Sequence, residues 1–322
     1  MRLRDTKLGA WAALCRLQST PLTWVILLLG YGTAGGDILS TDILPLLAVG
    51  ALGHWSVYAM NDHLDMYHDR FAGKLHKPLP AGEISETAAT FFVTVGILSS
   101  CVACYVWLGS SPALYWIAAV LTGIWYNIRS KTDWFSAIYL SVWAVLVVAV
   151  GANYYGEPTW QSFLFGAAIA IHMFIMTLEG DLKDLPEGEP CIPRVMGCGA
   201  DGDRLFVSFN FAFLFYSLHI TETIILILST ILSGASTWTA GLVAFFMLIS
   251  GFVSFELMKP QEYNPKMLKM NIVIYTCLSL AALASASVPV IGGPQAFALA
   301  VDSLVWGLGV QFVLYNNPLY FP

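Results

Sequence analysis

The chain has 322 residues, 57% hydrophobic and 11% charged, with a formal net charge of −6. A mean hydropathy of +0.69, with charge at less than half the usual share of a soluble domain, excludes an ordinary soluble enzyme. It also excludes a disordered chain, while the acidic balance excludes a nucleic-acid binder and six cysteines are too few for a disulfide scaffold.

At the N-terminus Arg2, Arg4 and Lys7 precede the first apolar run, and Arg16 interrupts any short apolar core, so no cleavable signal peptide is expected. A membrane-spanning helix needs roughly 20 mostly apolar residues. Nine runs approach or meet that length: 19–34, 43–60, 87–108, 112–126, 134–151, 160–178, 205–232, 238–258 and 267–288. The fourth is short and the first is rich in glycine. A tenth, 296–315, is long enough but carries Asp302. Barrel strands would be about ten residues long with alternating polarity, so the expected fold class is all-α. It is a polytopic membrane protein of nine transmembrane helices, or ten with the last run, forming one membrane domain over 1–322.

All 15 basic residues fall on one side of this pattern. Arg2, Arg4, Lys7 and Arg16 precede run one; Arg70, Lys74 and Lys77 lie between runs two and three; Arg129 and Lys131 lie between four and five. Lys183, Arg194 and Arg204 separate six from seven, and Lys259, Lys266 and Lys269 mark the boundary of eight and nine. The intervening loops 35–42, 153–159 and 233–237 contain none. The positive-inside rule therefore puts the N-terminus and the basic loops in the cytoplasm of a multi-pass cell-membrane protein. Two of these loops, 61–86 and 179–204, are long and hold 12 of the 21 acidic residues.

The first acidic stretch reads Asn61-Asp62-His63-Leu64-Asp65-Met66-Tyr67-His68-Asp69-Arg70. If the second helix continues through it, Asp62, Asp65 and Asp69 stand at i, i+3 and i+7 on one face, with Asn61 beside them. Carboxylates so arranged repel one another unless a cation sits among them, and hard oxygen ligands suit magnesium. The second stretch reads Glu179-Gly180-Asp181-Leu182-Lys183-Asp184-Leu185-Pro186-Glu187-Gly188-Glu189. Asp181 and Asp184 are again i and i+3, while Pro186 should end or kink the helix and leave Glu187 and Glu189 in a turn. Alone, this stretch reads equally well as a polar loop. Paired with the first on the same membrane face, it can converge on one polyphosphate through bridging metals.

The first stretch, with Lys77-Pro78-Leu79-Pro80-Ala81-Gly82 after it, resembles the signature of the UbiA superfamily of intramembrane prenyltransferases. The resemblance extends over runs one to nine, with one acidic motif after helix two and another after helix six. It implies a helical bundle around a central cavity that houses an isoprenoid tail, and a site that binds magnesium and the prenyl diphosphate donor. Carried over by position, Asn61, Asp65 and Asp69, supported by Asp62, look like ligands of the first metal, and Asp181 and Asp184 like those of the second. Glu187 and Glu189 are further candidate oxygen ligands. Asp65, Asp69, Asp181 and Asp184 are the candidate catalytic residues. Arg16 resembles a basic residue before the family's first helix, and Tyr126 a tyrosine introducing a basic loop; with Arg70, Lys77, Arg129, Lys131 and Lys183 they are placed to hold a departing diphosphate. The chain departs from the family at the second motif. There Glu189 stands where an aspartate follows the glycine, and Pro190-Cys191-Ile192-Pro193-Arg194-Val195 arrives early.

The implied chemistry is ionisation of an allylic diphosphate, with metal and basic side chains stabilising the leaving group and an apolar cavity keeping water from the cation. Trp55, Tyr58, Trp125, Tyr126 and Phe174 could contribute cation–π contacts of order 0.5–2 kcal/mol. His63, His68 and His76 show no zinc spacing, and Cys101-x-x-Cys104 lies in an apolar run where a redox role is not expected. His172 and His219 are expected to be hydrogen-bonded between helices, and Glu222, deep in run seven, to lie near the outer interface. The leading expectation is transfer of the prenyl group to an aromatic or lipid acceptor. A terpene cyclase using the same ionisation is the alternative, and a secondary transporter a distant one, since no internal repeat is evident.

Overall fold

The structure is a computed structural model that describes residues 3–201, 204–259, 261–262 and 264–315. A short helix α1 (Lys7–Leu14) is followed by α2 (Thr20–Thr33), then α3 (Leu44–Leu64) and its continuation α4 (Met66–Phe71). Next come α5 (Glu86–Ala103), α6 (Ser110–Arg129), α7 (Ala137–Tyr155), α8 (Trp160–Lys183) and the single-turn α9 (Ile192–Val195). The last four helices are α10 (Phe209–Leu232), α11 (Thr237–Leu257), α12 (Pro265–Ile291) and α13 (Gly293–Tyr315).

Among the described residues seven helices are long and apolar enough to cross a membrane: α3, α5, α7, α8, α10, α11 and α12. An eighth is the pair formed by α1 and the helix through Thr33, bent by 44° at a break that contains Arg16. This is an all-α, multi-pass membrane bundle. Helices α6 and α13 are regular over 20 and 23 residues without being among those eight. Large apolar side chains such as Leu248, 75% exposed, and Phe91, 70% exposed, point away from the bundle, as a lipid-facing surface requires.

Several expected ends shift for local reasons. The fifth run begins helically at Ala137, not at Trp134, because Asp133 accepts two hydrogen bonds from Arg129 and holds a turn there. The seventh begins at Phe209, because the residues before it form a strand. That strand, β2 (Arg204–Phe206), lies between β1 (Gly199–Asp201) and β3 (Gln261–Glu262) in an antiparallel sheet that the periodicity did not foretell. The Ser208 side chain then caps α10 by accepting from the Phe211 N–H. The third run ends in a π turn over Cys104–Leu108, closed by Gly109 at φ 98°.

The core follows from close helix approach. Gly30 on α2 and Gly151 on α7 face one another's helices so tightly that a Cβ on either would meet the carbonyl of Val148 or Leu27, the small-residue packing that membrane helices favour. Helices α2 and α3 are joined by Thr23 Oγ1 to His54 Nδ1 at 2.8 Å and by Trp24 Nε1 donating to the Leu47 carbonyl at 2.9 Å. The Trp306 indole of α13 donates to Leu17 O at 2.7 Å, fastening the last helix to the first break. Gly151→Ala is therefore expected to cost about 1–3 kcal/mol through overpacking, lowering the unfolding temperature in detergent. Gly241→Ala, with nothing within 4 Å of the added carbon, should leave it unchanged or raised.

Candidate active site

Helix α3 runs out of the apolar layer at Asn61-Asp62 and breaks at Asp65, whose φ of −82° and ψ of −7° keep the chain nearly helical into α4. The expected stripe therefore survives the break. Asp62, Asp65 and Asp69 are 3%, 9% and 2% exposed, so these carboxylates face the protein and not water. Burial on that scale demands counter-charge. Lys77 supplies it, its Nζ 3.2 Å from Asp62 Oδ1 and 2.6 Å from Asp69 Oδ2, and Lys74 adds a contact of 3.5 Å to Asp69. Burial alone would push the Asp69 carboxyl up, but the hydrogen bond and charge of Lys77, with Lys74, outweigh it and hold Asp69 below its ordinary value. For Asp65, burial, with Asp69 and Asp62 nearby, raises the carboxyl against the pull of Lys131 and Lys77.

Arg16 reaches the same stripe from the break between α1 and α2. It is the one non-glycine residue at positive φ among the described residues, at 47°. Its guanidinium donates to Asp62 Oδ1 at 3.1 Å and to Asn61 Oδ1 at 3.5 Å, and sits 4.9 Å from the Tyr58 ring centroid. Tyr126, on α6, lies within electrostatic range of Arg16, Tyr58, Asp65 and Asp181, placing it between the two acidic stretches.

The second stretch completes the assembly. Helix α8 ends at Lys183, and a 3₁₀ turn over Leu185–Glu187 follows, as Pro186 foretold; Gly188 then takes φ 84°, a conformation suited to glycine. The early Pro190–Val195 segment ends in α9, and Arg194 ties the turn by donating to the carbonyls of Leu185 and Glu189. Glu189 is thereby turned toward the first stretch. Its Oε2 accepts from Lys131 Nζ at 2.8 Å, and its Oε1 is 3.4 Å from His68 Nε2 on α4. Lys131 also acts electrostatically on both Asp65 and Asp181. Lys183 pairs with Asp184 at 3.2 Å. The side chain of Glu187, like that of Asp302, lies outside the described residues.

Some candidates stand apart. Arg70 donates to the carbonyls of Pro80 and Leu79 at 3.1 and 3.4 Å, bracing the Pro-Leu-Pro segment. Arg129 is engaged with Asp133 at 2.7 Å, and Trp125, 51% exposed, lies beneath its guanidinium on the outer surface. His68 is the residue whose part sequence reasoning missed, because its partner is 121 positions away in the chain. Glu222 corrects an expectation. It is not near an outer interface but 2% exposed, 3.2 Å from His172, which precedes Asp181 on α8 by nine residues, about 13–14 Å of helix rise.

The chemistry of the assembly is that of hard oxygen donors interleaved with ammonium and guanidinium groups. Among the described residues no three His, Cys, Asp or Glu side chains gather closely enough to hold a metal ion by themselves. Magnesium uses one or two protein carboxylates and takes its other ligands from water and substrate phosphates. Exchanging Glu189 for Ala should release the turn. Amide hydrogen exchange over 185–195 would rise several-fold, as expected for losing an interaction of up to about 1 kcal/mol, with the spans unaffected.

The model of the UbiA prenyltransferase family matches residues 22–273. No curated protein matches the chain. Among solved structures, a digeranylgeranylglyceryl phosphate synthase is similar at 18% identity and TM-score 0.67, over 88% of this chain and 99% of that one. A UbiA homolog from Archaeoglobus fulgidus, bound to GPP and Mg2+, is similar at 17% identity and TM-score 0.62, over 86% and 99%. One from Aeropyrum pernix K1 gives 16% and 0.62, over 82% and 95%. At these identities the likeness is one of fold.

Proposed function

The chain belongs to the UbiA prenyltransferase family, and from that premise we propose that it is a magnesium-dependent intramembrane prenyltransferase. It ionises a prenyl diphosphate and passes the prenyl group to an aromatic or lipid acceptor. The observation that carries this reading is the contact of Glu189 with both His68 and Lys131, which draws the two acidic helix ends together. The Archaeoglobus homolog, with GPP and Mg2+ bound in a similar fold, supports the donor class and the metal.

In this reading the bundle crosses the membrane nine times. The bent α1–α2 pair is the first crossing and α6 the fourth; α13 is long enough for a tenth. The basic loops, and with them the stretches 61–86 and 179–204, face the cytoplasm. Asn61, Asp62, Asp65 and Asp69 on one side, and Asp181, Asp184 and Glu189 on the other, are the side chains that would hold magnesium. Bound magnesium supplies Lewis-acid stabilisation to the leaving diphosphate. Lys77, Lys131, Lys183 and Arg16 meet the negative charge that develops as the C–O bond breaks. Their present carboxylate partners keep them in place beforehand, so little reorganisation is needed. Tyr58 and Tyr126 offer ring faces beside that charge, and the surrounding apolar helices exclude water from the cation. A transporter would show paired broken helices; among the described residues there is a single bent pair.

Purified protein in detergent, given magnesium and prenyl diphosphates of increasing length with and without acceptors, tests the reading. Asp65→Ala and Asp181→Ala should each lower diphosphate release by about a hundredfold or more, as should chelation of the metal. Full turnover in both variants would reject a two-stretch site.

A further inference from the structure

Arg16 reaches the acidic stripe from a backbone conformation that side chains rarely adopt, and part of what holds it there comes from the far end of the chain. At φ 47° and ψ 51° it is left-handed, and a non-glycine residue keeps such a conformation only where its surroundings over-determine it. Two peptide carbonyls fix this turn. That of Arg16 accepts from the Ser19 N–H and from the Ser19 hydroxyl, both at 2.9 Å. That of Leu17 accepts from the Thr20 N–H and from the Trp306 indole Nε1–H of α13 at 2.7 Å. The Ser19 and Thr20 bonds are local, each within three residues. The Trp306 bond spans 289 positions and lies at the short end of the range for an N–H donor.

Trp306 is itself held in place. Its ring meets Trp24 of α2 edge-on, with centroids 5.2 Å apart at 67°, and the Trp24 indole is engaged in turn with the Leu47 carbonyl of α3. Helix α13 packs on α2, on α12 and on the turn at 17–19, and its Leu299 and Ala300 close a small void against Val25, Leu29, Leu283 and Ala284. On the other side of the turn, the Arg16 guanidinium donates to Asp62 Oδ1 at 3.1 Å and to Asn61 Oδ1 at 3.5 Å. The Arg16 side chain is 34% exposed and that of Asp62 5%. A half-open cation thus meets a buried carboxylate, and the backbone at position 16 sets where that cation points. Leu17 and Trp306 both lie outside residues 22–273, the stretch that carries the family likeness.

We propose that Trp306 is a positioning residue for the diphosphate site. Its N–H fixes the Leu17 peptide, the fixed peptide holds Arg16 left-handed, and the left-handed turn aims the guanidinium at the first acidic stripe. The inference rests on the reading of the acidic assembly as the site that takes the diphosphate. Trp306 acts through Arg16 and not on the substrate. Without the indole donor the turn relaxes toward right-handed or extended backbone, which side chains prefer. The guanidinium then swings from Asp62, leaving that buried carboxylate to Lys77, and one of the cations that meets the leaving group is no longer preorganised.

Trp306→Phe keeps an aromatic ring against Trp24 and removes the donor. Benzothienylalanine at position 306 removes the same N–H at constant shape, and it decides the matter if Trp306→Phe cannot be purified folded. Two readouts are taken on the full-length protein in detergent. The first is the rate at which phenylglyoxal modifies Arg16, followed by mass spectrometry without metal or donor. It should rise about three- to tenfold, the scale of one lost hydrogen bond. The second is kcat/KM for a prenyl diphosphate with magnesium, read as diphosphate release. It should fall by a similar factor, and by nothing further when Trp306→Phe is added to Arg16→Ala. A packing role alone would lower kcat/KM equally in both backgrounds. That result, or an unchanged rate of Arg16 modification in the folded variants, would overturn the inference. If Trp306 governs Arg16 modification but Arg16→Ala keeps full kcat/KM, or the wild type releases no diphosphate from any donor, the reading of the acidic assembly falls and the link from Trp306 to Arg16 stands.

Discussion

Carboxylates crowded at the end of an apolar helix repel one another and lose hydration, and the rest of the site is arranged around that cost. Lys77 lies between Asp62 and Asp69, Arg16 reaches Asp62 from a backbone turned to positive φ, and Lys131 holds Glu189 while acting on Asp65. Each cation comes from a different connection: the break before α2, the loop after α4 and the loop after α6. Balancing one set of acids therefore draws together segments distant in sequence. The same cations are then in position for a polyphosphate, whose charge they would meet as its bond to carbon breaks.

The bundle places two polar centres of different character along α8. At its end Asp181 and Asp184 join an assembly rich in lysine and arginine, suited to a strongly anionic leaving group. Two turns and more into the apolar layer, His172 meets Glu222 and Tyr275, and among the described residues no lysine or arginine joins them. The first centre balances fixed charge. The second joins Glu222, Tyr275 and His219 by hydrogen bonds, while both Glu179 oxygens are buried without a partner among the described residues. Their separation along one helix matches a substrate with a charged head and an apolar tail.

Much of this was legible in the sequence. The apolar runs marked the helices because hydrocarbon admits helical backbone on a length scale that residue counting captures. The i, i+3, i+7 spacing marked the aspartate stripe because α3 continues into α4 with little disturbance. Pro186 marked the end of α8 for a covalent reason. What stayed hidden depends on contacts between distant segments. The β1–β2–β3 sheet pairs 199–201 with 204–206, and 204–205 with 261–262, too short a pattern for periodicity to reveal. His68 finds Glu189 only because α4 and the turn after α8 meet. Arg70 and Arg129 look equivalent to Lys77 and Lys131 by charge and loop, yet their geometry engages them with carbonyls of the Pro-Leu-Pro segment and with Asp133. Glu222 was misplaced because depth was counted from an assumed helix start, before β2 had moved that start to Phe209.

The central claim is that both acidic stretches serve one diphosphate. Calorimetric titration of an unreactive prenyl thiolodiphosphate with magnesium into the wild type, Asp65→Asn, Asp181→Asn and the double variant measures that most directly. A shared site predicts a single binding event and strongly non-additive losses, with an interaction energy of about 1 kcal/mol or more between the two positions. Two binding events, or losses that simply add, would contradict it.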